Sequence, residues 1–340
     1  MMIGIKLIPV YIILFNLVLV HNPARARIRL KDSSVYEISI AVSTNRYGDA
    51  IALSQKIVDS DTANPVGYFL LGAVYQNLSE EYRNDSFNEK INCYLTEAIE
   101  RSNQMKDIEP DNPELYFISG AALGYRAIHR AFHGHWFKAF GDGLKCSSHL
   151  NKSLELDSTY YDAHWGKGAY LYYRTIKAKD FLWLPFVSDR REEGMAMIRK
   201  AIAHGNLARQ LAHESFLRIY WTEERNGDLL SLADSLYTGL PDDPYILIYY
   251  VEGLLAQGRL DEAEEKLMEL KAAWKNSPYY DDAGVMEGEY LMARLAYQKG
   301  DIEMAEKILE YIIDREDLRD TNAYFAETYD KAKDFRKKIR

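Results

Sequence analysis

The chain has 340 residues, 47% hydrophobic and 27% charged, with 20 Gly and 9 Pro, which excludes a disordered or low-complexity protein and suits two domains or one elongated repeat array. Two cysteines exclude a disulfide framework, and a net charge of -9 excludes the basic face of a dedicated nucleic-acid binder.

The chain opens with a short, weakly basic stretch, Met1 to Lys6, followed by an apolar run from Leu7 to Val20 broken only by Asn16. That run is shorter than the roughly 20 residues of a membrane span and is followed by an A-x-A-like site, Ala24-Arg25-Ala26. Residues 1–26 are therefore read as a signal peptide, cleaved after Ala26, which predicts an exported, periplasmic body. Arg25, Arg27, Arg29 and Lys31 lie behind the apolar run and speak for the alternative, an uncleaved membrane anchor.

Beyond the leader, the first helix of a repeat is visible in Tyr68-x2-Leu71-Gly72-x2-Tyr75. A looser copy follows in Tyr116-x2-Ser119-Gly120-x2-Leu123, and Gly168 lies as far beyond Gly120 as Gly120 lies beyond Gly72. A glycine at that position lets two helices approach closely. The turn into the second helix shows in Gln257-Gly258-Arg259-Leu260-Asp261-Glu262-Ala263 and again in Lys299-Gly300-Asp301-Ile302-Glu303-Met304-Ala305. Asn226-Gly227-Asp228 and Arg46-Tyr47-Gly48-Asp49-Ala50 are read as further copies of that turn. Pro65, Pro113, Pro244 and Pro278 stop one unit and start the next, with Ser158 in place of Pro between Leu156 and Tyr160.

Together these residues resemble the tetratricopeptide repeat family, over about Ser34 to Asp317, in about seven units. The resemblance implies an all-α, right-handed solenoid of helical hairpins over residues 27–320, closed by a C-terminal capping helix in 321–340. It also implies a concave face used to hold a peptide or partner protein. Spacing in the first units is wider than the usual 34 residues, so longer helices or larger loops are expected there. Gly168 to Tyr173 with Phe181 to Gly194 is similar to exported bacterial tetratricopeptide proteins of unassigned function and, more distantly, to the tetratricopeptide repeat 39 group.

No catalytic motif is present. Gly141-Asp142-Gly143-Leu144-Lys145 lacks the spacing of a phosphate-binding loop, and neither G-x-S-x-G nor H-E-x-x-H occurs. Neither an enzyme nor a cofactor is expected. His129 and His133 share a helix face and could chelate a metal with a third ligand, while His135 follows the probable helix end at Gly134; the plainer reading puts both with Arg126 and Arg130 on a solvated face. Cys93 and Cys146 are read as small buried residues, with pairing as the alternative.

Aligned on glycine and turn positions, the units direct Phe69, Asn77, Phe117, Tyr125, Trp165, Tyr172, Tyr173, Trp221, Arg225, Tyr290, Arg294 and Tyr297 toward the concave face. Aromatic and Arg side chains in such numbers suit the burial of a partner segment, although the same residues also suit packing of helix against helix. Trp165 and Tyr172 lie seven apart and are expected on one face, with Tyr173 beside them. Phe181 to Val187 either folds over its neighbouring hairpin or meets a partner or membrane surface. The function expected is a non-enzymatic scaffold of the bacterial envelope. A metal-dependent enzyme using His129 and His133, and a self-associating structural component, are the other classes.

Overall fold

The computed structural model describes residues 29–177 and 188–340, which form fifteen α-helices without a strand. In chain order they are α1 (Ser33–Ser43), α2 (Tyr47–Ser60), α3 (Pro65–Tyr82), α4 (Asn88–Lys106), α5 (Pro113–Phe132), α6 (Trp136–Leu156), α7 (Tyr161–Lys177), α8 (Arg191–His204), α9 (Arg209–Thr222), α10 (Asn226–Gly239), α11 (Pro244–Ala256), α12 (Leu260–Asn276), α13 (Asp282–Gln298), α14 (Ile302–Ile313) and α15 (Ala323–Ile339).

The helices pair as seven consecutive hairpins, with α15 packed on α13 and α14. Three first helices start on the same device: Asn64, Asn112 and Asp243 accept a backbone N–H of the first turn, and Pro65, Pro113 and Pro244 follow at the position where no donor is needed. The turn inside a hairpin is equally regular. Asn45, Gly134, Glu224, Gly258 and Gly300 adopt positive φ. In each case the next residue donates its N–H to the carbonyl five residues back, as in Arg46 to Ala41 at 2.8 Å, Arg225 to Tyr220 at 2.8 Å and Arg259 to Leu254 at 3.0 Å. This is the Schellman closure, which satisfies carbonyls the ending helix leaves open. It also corrects the register of two copies: the left-handed residues are Asn45 and Glu224, not Gly48 and Gly227.

The glycine spacing marks real helix contacts. A Cβ on Gly72 would lie 2.6 Å from Leu95 of α4, one on Gly120 2.9 Å from Leu150 of α6, and one on Gly168 2.5 Å from the Gly194 carbonyl of α8. In the later hairpins Ala263 and Ala305, both fully buried, occupy the contact. The wide early spacing comes from longer helices, 18 to 21 residues in α3 to α6 against 13 or 14 in α9 to α11. Cys146 is buried, but Cys93 is exposed; both are free thiols, so neither the joint burial expected of them nor the alternative of pairing holds.

The stack closes on itself. The buried Trp274 of α12 donates from Nε1 to the Glu81 carbonyl of α3 at 2.9 Å. Asn322, the N-cap of α15, donates to the Arg83 carbonyl at 3.0 Å, and Asp85 accepts the Ala323 N–H at 2.6 Å. Arg83 pairs with Glu287 of α13, Asn84 donates to the Tyr279 carbonyl, and Tyr324 packs its ring 4.5 Å from that of Phe132. These contacts join the last helices of the chain to α3 and the turn after it.

Candidate functional site

Inside the closed stack lies a cavity of about 110 Å³, lined from α1, α2, α3, α5, α7, α9 and α11. Phe69, Phe117, Tyr125 and Trp165 form an aromatic wall: Phe69 meets Phe117 edge-on at 6.1 Å, and Tyr125 bridges Phe69 and Trp165 at 6.4 and 6.2 Å. The Trp165 indole N–H is fixed by Ser215 at 2.8 Å. Asn77 and Gln210 are the polar amides of the lining. Four carboxylates share it, Glu80 and Glu81 of α3, Glu214 of α9 and Asp243 at the start of α11.

Their partners differ. Glu80 pairs with Arg218 at 3.2 Å. Asp243 accepts the Ile246 N–H at 3.0 Å, and Glu214 accepts from Gln210 at 2.9 Å. Glu81 is 6% exposed; Oε2 accepts the Tyr47 hydroxyl, and Oε1 has no hydrogen-bond partner. Among the described residues the two nearby cations are taken, Arg83 by Glu287 and Arg218 by Glu80. Burial, then repulsion by Asp243, pushes both Glu81 and Glu214 well above the ordinary carboxyl range, and burial raises Asp243.

Of the twelve residues expected on the concave face, Phe69, Asn77, Phe117, Tyr125 and Trp165 line the cavity. Tyr173 lies beyond it, against Arg218. The other six do not line the cavity. Tyr172 is fully buried within the α7–α8–α9 core with Met195, Ile198 and Phe216, because the small Gly194 lets α8 close over it. Trp221 stands 41% exposed, edge-on to Tyr249, and Arg225 sits in the α9–α10 turn, held by Asp228 and over the Tyr220 ring. Arg294 is taken by Glu252 at 2.6 Å. Tyr290 and Tyr297 both meet Phe335, so α15 covers the face they present. Sequence reasoning missed Glu80, Glu81, Glu214, Arg218 and Asp243.

The histidines do not sit on a solvated face. His129 is buried and stacks on His133, whose Nδ1 meets the His129 carbonyl at 2.8 Å and whose Nε2 meets Asp85 at 3.2 Å. Burial lowers His129 to about 4, whereas the Asp85 hydrogen bond raises His133. Arg126 and Arg130 both turn to Asp142. Among the described residues no group of three or more His, Cys, Asp or Glu is arranged to hold a metal. Outside the stack, Trp136, Phe137 and Phe140 of α6 are exposed, Phe137 almost completely. Both residues 1–26, read from the sequence as a signal peptide, and Phe181 to Val187 lie outside the described residues, and no described helix is long and apolar enough to cross a membrane.

Seven stacked hairpins, five of them turned by the same left-handed closure, with glycine at the α3–α4, α5–α6 and α7–α8 contacts, settle the architecture. The fold is of tetratricopeptide type. No family model and no curated protein matches the sequence. Among solved structures, the chain is similar to YrrB, described as a tetratricopeptide protein with an unusual peptide-binding site, at 16% identity and a TM-score of 0.43, over 64% of this chain and 92% of that one. It is also similar to yeast Tom70, at 11% identity and a TM-score of 0.37, over 91% of this chain and 88% of that one.

Proposed function

We propose that the chain is a non-enzymatic scaffold that binds a partner protein at its concave face, in the cell envelope to which the leader in 1–26 would deliver it. The observation that carries this reading is the half-satisfied Glu81 carboxyl in a lumen where seven helices converge. Burying a carboxyl with one oxygen unmatched costs folding free energy, and an apolar side chain would fill the same space at no such cost. A ligand explains why the group is there. The aromatic wall supplies contact area at low entropic cost, and Ser39, Val42 and Ser43 of α1, all partly exposed, supply the mouth. At about 110 Å³ the lumen takes a side chain of the partner rather than a length of its backbone.

Cross-linking in the native host, with identification of the captured protein, tests the reading. Trp165→Ala and Tyr125→Ala, in folded protein, are expected to lower capture by about tenfold or more, as loss of an interface anchor does. Trp136→Ala, on the exposed face of α6, is expected to leave it unchanged. Capture that depends on Trp136 and not on Trp165 would move the binding surface to α6 and end the concave-face reading.

A further inference from the structure

Three features of the lumen bear on what enters it. First, its charge is unbalanced. Arg83 and Arg218 are spent on Glu287 and Glu80, which leaves Glu81, Glu214 and Asp243 without an ion pair among the described residues. Second, the imbalance has a focus. Glu81 is more than nine-tenths buried, its Oε1 is unpartnered, and the groups around it are Tyr47 from α2, Arg83 on its own helix, Glu214 from α9 and Asp243 before α11. Of these, only Tyr47 donates to Glu81 through its side chain, and it does so to the other oxygen. Third, the same lining is rich in aromatic rings, with Tyr125 in contact with both Phe69 and Trp165.

A carboxyl oxygen that lacks a donor, in a lumen short of positive charge, calls for a cation that brings its own N–H groups. The carboxylates do not gather as a metal-binding group among the described residues, and the aromatic wall offers no ligand to a metal ion. That wall suits methylenes and, through the ring quadrupole, an ammonium head. We propose that the lumen receives one primary alkylammonium group, either the end of a lysine side chain presented by a partner or a free amine, with Glu81 Oε1 as its principal acceptor. This rests on the concave-face reading only where the ammonium is a partner's lysine. Because Glu81 and Glu214 hold their protons more tightly than usual, entry of the cation expels a proton from the pocket, and binding strengthens as pH rises until the amine itself deprotonates.

Isothermal titration of the full chain with n-butylammonium, in two buffers of different ionisation heat, tests the proposal, with n-butanol as the neutral control. Expected are one site per chain, no binding of n-butanol, a proton released on binding, and a loss of about tenfold or more in Glu81→Gln. Glu214→Gln is the second variant, expected to weaken binding less; unchanged melting temperatures show that both variants are folded. Binding of n-butanol as tight as that of n-butylammonium, or binding unaltered in both variants, overturns the proposal. The capped tripeptide Gly-Lys-Gly and 1,5-diaminopentane then distinguish the source: tighter binding of the tripeptide assigns the ammonium to a partner lysine, and tighter binding of the diamine assigns it to a free amine. Trp165-dependent capture of a partner without butylammonium binding would overturn this inference and leave the scaffold reading intact. Butylammonium binding without such capture would do the reverse.

Discussion

The seam where the stack closes and the lumen that it encloses share α3, yet they treat polar groups in opposite ways. At the seam, carbonyls and carboxylates of α3 and the turn after it are met by a donor from the far end of the chain: Glu81 O by Trp274, Arg83 O by Asn322, Asp85 by the Ala323 N–H. One side chain away, the Glu81 carboxyl is left half satisfied. The backbone of Glu81 therefore serves closure and its side chain does not. Folding needs the first; the second is explained by something that enters from outside.

Breaking the seam should have the largest effect. Trp274→Ala removes a ring that is 2% exposed together with its hydrogen bond to α3, and is expected to cost about 3–5 kcal/mol in chemical denaturation. A cost below about 1 kcal/mol would mean that the two ends of the stack are not joined there. Asn322→Ala should cost less, about 1–2 kcal/mol. It removes a cap that accepts from Tyr324 and Phe325 and leaves the Arg83 carbonyl without its donor.

The lumen should respond least, and with the opposite sign. Glu81→Gln is expected to gain on the wild type as pH rises, the gain beginning near the unfolded carboxyl value of about 4.3. Burial, then repulsion by Asp243 and Glu214, raises the folded-state pKa of Glu81. The stability tied to its protonated form is thus complete below the unfolded value of about 4.3 and is lost as pH rises through the folded one. Melting curves of both proteins from about pH 6 to about pH 9 measure the difference, in which groups common to both cancel. A difference that stays constant would show that Glu81 carries the same charge in the folded and unfolded states throughout that range.

What the sequence disclosed, and what it did not, follows the same division. The hairpin contacts were legible at Gly72, Gly120, Ala263 and Ala305, because close helix approach constrains residue size at a fixed local spacing. The turns at Gly258 and Gly300 were legible because glycine announces positive φ, whereas Asn45 and Glu224 adopt the same conformation without announcing it. Phe69, Phe117, Tyr125 and Trp165 followed from the helix face they share. Tyr172 did not, since the seven-residue spacing that relates it to Trp165 carries no information about where α8 closes over α7. Glu214 and Asp243 were illegible for a further reason: they matter only because closure brings α9 and α11 opposite α3, and no local pattern encodes a contact between residues so far apart.

An ordinary solenoid behaves as a row of neighbours, in which the end units fray and the rest survive them. Here Asp85, just beyond α3, accepts the N–H of Ala323, and Ser79 and Phe132 share Tyr324. During synthesis the second and third hairpins must therefore wait, with part of their inner surface uncovered, until the last helix has left the ribosome. Once that helix docks, the row becomes a loop, and its units are lost together rather than one at a time from the ends.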